Sequence, residues 1–219
     1  MRGLPPLQAL LLLIALVILG FTGKYYIGMD QARELATSVT PLSSDSASAE
    51  KKFVEAEIEF VLDNMWPSDL VLELGCGYGR VLRRVLAKAI TVVGLDTECA
   101  SLKIAREVFC TPSCYHLFVM DAAELGFHDR QFDTVVCIQN GISAFGVNQR
   151  KLIEEALRVT KTGGKVLFSS YSHRFWEHRL EWFRLQSQKG FIGEIDDEAT
   201  ENGVIVCKDG FRSGTVSPD

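Results

Sequence analysis

The chain has 219 residues, 47% of them hydrophobic and 23% charged, which suits one α/β domain with a sizeable core and excludes a disordered or fibrous chain. Its net charge is −5 and no basic stripe runs along it, so no nucleic-acid partner is expected from long-range electrostatics. The six cysteines (Cys76, Cys99, Cys110, Cys114, Cys137 and Cys207) follow no disulfide or zinc spacing, and read as free thiols of a reducing compartment with no metal site.

Taken in order, Leu7 to Phe21 is an almost unbroken apolar run, extended by Thr22 and Gly23 before Lys24. Three readings stay open for residues 1–23: a membrane anchor, a secretory leader with Arg2 as its positive end, or a start assigned too early, with translation beginning near Met29. Membrane association through residues 7–23 follows from the first. Residues 24–52 form a lead-in. Asp30 can cap a short helix to Val39, and the small polar stretch Thr40 to Glu50 is either a linker or a lid.

Residues 53–219 read as the main domain. Phe53 to Met65 is an amphipathic helix with Val54, Ile58, Val61, Leu62 and Met65 on one face, ended by Pro67. A strand over Leu70 to Leu74 leads through Gly75, Gly77 and Gly79 into a helix over Arg80 to Ala87. Strands follow at Ile90–Leu95, Tyr115–Met120, Phe132–Ile138 and Lys165–Ser169. Helices follow at Ser101–Phe109, Gln149–Val159 and Phe175–Gln188, with Thr162-Gly163-Gly164 taken as the stop of the second. Alternating helices and nearly continuous apolar strands imply a doubly wound, mostly parallel sheet covered on both faces. Ligands bind such sheets at the carboxyl ends of the strands. Here those ends carry Glu73 to Gly79, Asp96, Asp121 and Gln139 to Ser143.

The glycine spacing is G-x-G-x-G, one residue short of the G-x-G-x-x-G of a dinucleotide-binding oxidoreductase, which makes an NAD enzyme the weaker alternative. Asp96 ends the next strand, where a carboxylate can accept from two vicinal ribose hydroxyls. Asp121 ends the third, where it can accept from an adenine amine, with Met120 and Ala122 flanking the ring. Each aspartate also has a plain reading as a helix N-cap.

The ordered segments ELGCGYG, GLD, MDAAEL, FDTVVCIQN and KTGGKVLF resemble the motif series of class I S-adenosylmethionine-dependent methyltransferases, over about Phe53 to Ser170. The resemblance implies a Rossmann-like fold, S-adenosylmethionine as cofactor and a cytoplasmic domain. It implies that Glu73 and the turn Gly75, Cys76, Gly77, Tyr78 and Gly79 receive the methionine end. Asp96 and Thr97 take the ribose side, Asp121 and Ala122 the adenine, and Gln139 and Asn140 lie beside the reacting methyl. The acceptor it implies is a small molecule. No general base is identified; His173 is read as a loop histidine, and Trp176 and Phe183 as core. QNGIS lacks the Pro-Pro signature used on planar nitrogens, which argues against DNA adenine or protein glutamine as acceptor. Relatives finish with a hairpin that completes a seven-stranded sheet. Here Gly203 to Phe211 is read as one strand and Ser217-Pro218-Asp219 as a helix start, so the hairpin is expected to be missing. A catalytically impaired binding or scaffold protein is the resulting alternative.

Overall fold

The computed structural model describes residues 55–109, 114–171, 176–190 and 192–215. The apolar segment 7–23, the helix expected at 30–39, the stretch 40–50, Cys110, His173 and the final Ser-Pro-Asp lie outside the described residues. No helix among the described residues is long and apolar enough to cross a membrane. The described chain divides into two compact units, over residues 55–171 and 176–214.

The first unit opens with helix α1 at residues 55–63. It continues with β1 (Leu70–Leu74), α2 (Arg80–Leu86), β2 (Thr91–Asp96), α3 (Cys99–Val108), β3 (Tyr115–Val119) and β4 (Phe132–Cys137). A short helix α4 (Gly141–Ala144), then α5 (Gln149–Val159) and β5 (Thr160–Phe168), complete it. The strands form one sheet in the order β3-β2-β1-β4-β5, and every neighbouring pair is parallel. Side chains alternate across the sheet, so each strand feeds two cores. Val71, Val92 and Val136 pack on one face with Ile58, Val61 and Met65 and with Val81, Leu82 and Val85 of α2. Leu72, Leu74, Val93, Leu95, Val135 and Cys137 pack on the other with Leu152, Ala156 and Val159 of α5. Burial on both faces is why β1, β2 and β4 read as continuous apolar runs. The five described cysteines, Cys76, Cys99, Cys114, Cys137 and Cys207, carry no disulfide.

Three local features differ from the sequence reading. The helix expected from Ser101 opens at Cys99, because the Glu98 side chain accepts from the Ala100 amide at 3.0 Å and caps it there. α5 ends at Val159 without help from the glycine pair, and β5 starts at Thr160. Pairing then jumps from Phe132↔Thr160 to Thr134↔Lys165, so Lys161 to Gly164 form a bulge. Gly163 has φ +83, and a Cβ on Gly164 would stand 2.6 Å from the Asp133 carbonyl oxygen. The helix α4 was not expected at all.

Asp69 fixes the entry to β1. Its buried carboxylate accepts from the Trp66 amide and from the Thr134 hydroxyl, both at 3.0 Å. Asp69→Ala strands both donors, so we expect it to cost about 1–3 kcal/mol in a urea melt. Its affinity for any strand-end ligand should not change; a stability within error of wild type would contradict this role.

In the second unit, α6 (Trp176–Gln188) precedes two short antiparallel strands, β6 (Ile205–Val206) and β7 (Arg212–Ser213). The expected single strand over Gly203 to Phe211 is therefore a hairpin, turning through Cys207 to Gly210, where Gly210 has φ +93. It forms its own two-stranded sheet, and the five-stranded sheet contains no antiparallel strand among the described residues. Phe183, Ile192, Ile195, Ile205 and Cys207 make the core of this unit. The buried Arg179 guanidinium donates to the carbonyls of Gly203, Ser213 and Gly214, tying helix to hairpin.

Candidate functional site

The winding of the sheet reverses at β1: β2 and β3 lie on one side of it, β4 and β5 on the other. Connections leaving β1 and β4 therefore diverge and open a crevice at their carboxyl ends. The turn after β1 is pinned there. The Cys76 amide donates to the Leu95 carbonyl at 2.9 Å, and the Gly79 amide to the Cys76 carbonyl at 2.8 Å. Gly75, Gly77 and Gly79 have φ of +71°, +51° and +89°, a region that L side chains enter at a cost. They differ in what they face. A Cβ on Gly75 would stand 2.3 Å from the Phe145 ring, and one on Gly79 2.5 Å from the Phe109 ring. A Cβ on Gly77 would meet nothing within 4 Å. The first and third glycines make room for rings, and Gly77 alone opens toward free space. The side chains of Cys76 and Tyr78 are buried, and burial pushes the Cys76 thiol far up, so it is not a nucleophile.

Asp96 links the turn to β2. Its Oδ2 accepts from the Gly77 amide and its Oδ1 from the Glu98 amide, each at 2.8 Å. The helix that follows is capped by Glu98, so the N-cap reading of Asp96 fails. Each oxygen of a carboxylate has a second lone pair, which leaves Asp96 able to accept two further bonds. Burial raises its pKa, and the Glu98 and Gly77 amides oppose the rise. Glu73 is 5% exposed, and its Oε2 has no hydrogen-bond partner. Burial pushes its carboxyl from the ordinary 4.5 up to about 8, with the Arg80 guanidinium pulling down and Asp96 adding to the rise.

The Arg80 guanidinium donates to the Gln139 side-chain oxygen, joining the start of α2 to the end of β4. Gln139 and Asn140 have φ of +60° and +61°, two successive left-handed non-glycine residues. The end of β5 braces them: the Gln139 amide donates to the Ser169 hydroxyl at 2.8 Å, and the Ser170 hydroxyl to the Asn140 Oδ1 at 2.9 Å. Arg80 Nε, Gln139 Nε2 and Ser143 Oγ are buried without hydrogen-bond partners. Thr97 is exposed. Asp121 is exposed at the end of β3, where its Oδ1 accepts from the Ala123 amide at 2.8 Å in a local turn, and Ala122 is buried. The structure thus gathers Glu73, Gly77, Asp96 and Gln139, with Thr97, Asp121 and Ala122 at the neighbouring strand ends. Sequence reasoning missed Arg80, Phe145 and Ser169.

The raised Glu73 carboxyl sets a pH dependence. Between 4.5 and about 8 the folded protein holds a proton that the unfolded chain has lost, so this contribution to stability is full below 4.5 and gone above about 8. Wild-type Tm should fall across that window more steeply than the Tm of Glu73→Gln, which has no proton to lose. Equal slopes would contradict the buried placement.

Residues 71–164, from β1 into β5, match the family model described as a methyltransferase domain. This segment belongs to the class I S-adenosylmethionine-dependent methyltransferases. The chain is 30% identical over 185 residues to the 2-methyl-6-phytyl-1,4-hydroquinone methyltransferase of Synechocystis, a match covering 73% of this chain and 57% of the relative. It is 30% identical over 108 residues to a Bos taurus protein named "Probable tRNA methyltransferase 9B", covering 48% of this chain and 22% of that one. It therefore spans about half the length or less of these curated relatives. A crystal structure of a Pyrococcus horikoshii protein superposes with a TM-score of 0.53 at 26% identity, over 81% of this chain and 80% of that one.

The residues present fit the cofactor that such domains use. Glu73 offers a buried carboxyl oxygen with no partner, Gly77 faces open space, and Asp96 has acceptor capacity left. No lysine stands in the glycine turn, which suits a ligand without phosphate.

Proposed function

We propose that this chain transfers a methyl group from S-adenosylmethionine to a small organic acceptor. The observation that carries the reading is the bond from the Gly77 amide to Asp96 beside the unpartnered Glu73, because it sets a sugar-reading acid and an ammonium-reading acid on the two rims of one turn. In this reading the backbone of Gly75, Cys76, Gly77, Tyr78 and Gly79 lines the methionine end. Asp96 accepts from the ribose hydroxyls, with Thr97 at the rim. Asp121 and Ala122 border the adenine, and Gln139 and Asn140 border the transfer path. When bound, S-adenosylmethionine supplies an electrophilic methyl on a positively charged sulfur. The chain's own contribution is to align the acceptor with that methyl and to keep water out. The acceptor's lone pair forms the new bond, the carbon–sulfur bond breaks, and S-adenosylhomocysteine leaves; an acceptor O–H or N–H passes its proton to solvent.

The hydroquinone-methylating relative matches over 185 residues and the tRNA-named relative over 108, and the net charge of −5 gives no electrostatic attraction for RNA. Both favour a small acceptor. The test is incubation of the full chain with methyl-labelled cofactor and, separately, simple hydroquinones, phenols and bulk tRNA. Label on a small molecule, lost in Asp96→Ala, supports the proposal. Label on tRNA alone, or cofactor binding with no transfer to any of them, overturns it.

A further inference from the structure

Every strand pair in the five-stranded sheet is parallel, so the segments that lead into the strands meet at one rim, opposite the crevice. That rim displays large apolar side chains: Trp66 is 69% exposed, Ile90 63% and Leu157 58%. Trp66 lies just ahead of β1 and Ile90 just ahead of β2, where Leu70 pairs with Thr91. Leu157 lies in the last turn of α5, ahead of β5. Trp66 is held by a fixed turn, since its amide donates to the buried Asp69 carboxylate at 3.0 Å and Pro67 follows it.

The same rim is rich in cations, on a chain whose net charge is −5. The exposed Lys88 ammonium donates to the Leu62 carbonyl, and the exposed Lys165 ammonium to the Asn64 carbonyl at 2.7 Å. Two ammonium groups therefore flank the end of α1 just before Trp66, each with donors left over. The Arg130 amide donates to the Arg158 carbonyl at 2.9 Å, which sets the exposed Arg130 beside Leu157. None of these three cations belongs to an ion pair among the described residues, and Asp63 is an exposed acid that offsets one of them.

We propose that this rim docks on the surface of an anionic lipid bilayer, with Trp66, Ile90 and Leu157 entering the interface and Lys88, Lys165 and Arg130 meeting lipid phosphates. Apolar side chains that penetrate beside cations that stay with the headgroups are what such a surface binds. The chain ahead of α1 points to the same partner, because it carries the apolar run of residues 7–23. Residues 24–54 can extend to about 100 Å, far enough for that run to enter a bilayer on either side of the domain. Docked this way, the crevice at the opposite rim faces water.

The test is tryptophan fluorescence of the full chain on phosphatidylcholine vesicles with brominated acyl chains, with and without about one-third phosphatidylglycerol. Trp66→Phe is measured in parallel, so the difference isolates Trp66 from Trp176 and Trp182 and from any attachment through residues 7–23. On the anionic vesicles the Trp66 emission should shift to the blue and be quenched by about twofold or more. The double variant Lys88→Gln, Lys165→Gln should lose most of that quenching. Ile90→Ser, which leaves the end of α1 untouched, should weaken it too, and carries the test if melts show that the lysine variant does not fold. No quenching of Trp66, equal quenching without phosphatidylglycerol, or quenching that survives these variants overturns the proposal. A blue shift that grows with protein concentration in the absence of vesicles assigns the face to a second copy of this chain and overturns it as well. None of these outcomes bears on methyl transfer.

Discussion

Asp96→Ala is expected to weaken S-adenosylhomocysteine binding by roughly a hundredfold or more and to destabilise the fold by about 2–4 kcal/mol. Two effects combine. The variant loses the charge-assisted acceptor for the ribose hydroxyls. It also strands the Gly77 and Glu98 amides, each of which now donates to this carboxylate at 2.8 Å. The same side chain thus shapes the turn and reads the sugar. Asp96→Asn separates the two roles in part: it keeps the shape and one oxygen acceptor but turns an NH2 donor toward the other amide, so it should recover only part of the lost stability and still lose most of the affinity. Titration calorimetry and a urea melt on both variants give the answer. Unchanged affinity in Asp96→Ala would take this residue out of the pocket.

Gly75→Val should be the most damaging of the turn substitutions. At φ +71 a β-branched residue is strained, at about 1–2 kcal/mol for the left-handed backbone alone. Its Cβ would also stand 2.3 and 2.4 Å from two carbons of the Phe145 ring, which packs against the core of β4 and α5. Moving that ring disturbs α4 and the neighbouring Gly141, whose own Cβ position lies 2.9 Å from it. We expect a loss of about 3–5 kcal/mol in total, read by denaturant melt. Gly77→Ala makes the contrast. Nothing blocks its methyl, so the fold should pay only the backbone strain of about 1 kcal/mol, while the methyl enters the open space and removes cofactor binding. Gly75→Val with wild-type stability, or Gly77→Ala with wild-type affinity, would contradict the division of labour among the three glycines.

How much of this was legible in the sequence depends on what each residue packs against. β1, β2 and β4 are buried on both faces, so their apolar runs announced them, and the strand-end acids followed from the alternation of strands and helices. The matching of α5 at both ends came from a clean apolar period and the Asn148 cap, which accepts from the Lys151 amide at 3.1 Å. The bulge at Lys161 to Gly164 was hidden because a glycine pair after a helix looks like a stop, whereas here it lets β5 slip against Asp133. The hairpin at Ile205 to Ser213 was hidden because its strands are two residues each, too short for a period to show. In the pocket, spacing placed Glu73, the glycines and Asp96, but pairing is a three-dimensional property. Nothing in the spacing said that Gly75 and Gly79 serve Phe145 and Phe109, that Asp96 holds the Gly77 amide, or that Arg80 reaches the end of β4.

The most direct measurement of the central claim is a calorimetric titration of the full chain at neutral pH with S-adenosylhomocysteine and, in parallel, NAD. A saturable site, one per chain, for S-adenosylhomocysteine, displaced by S-adenosylmethionine and indifferent to NAD, is the predicted result. No heat with S-adenosylhomocysteine, or a site that NAD fills instead, would contradict it.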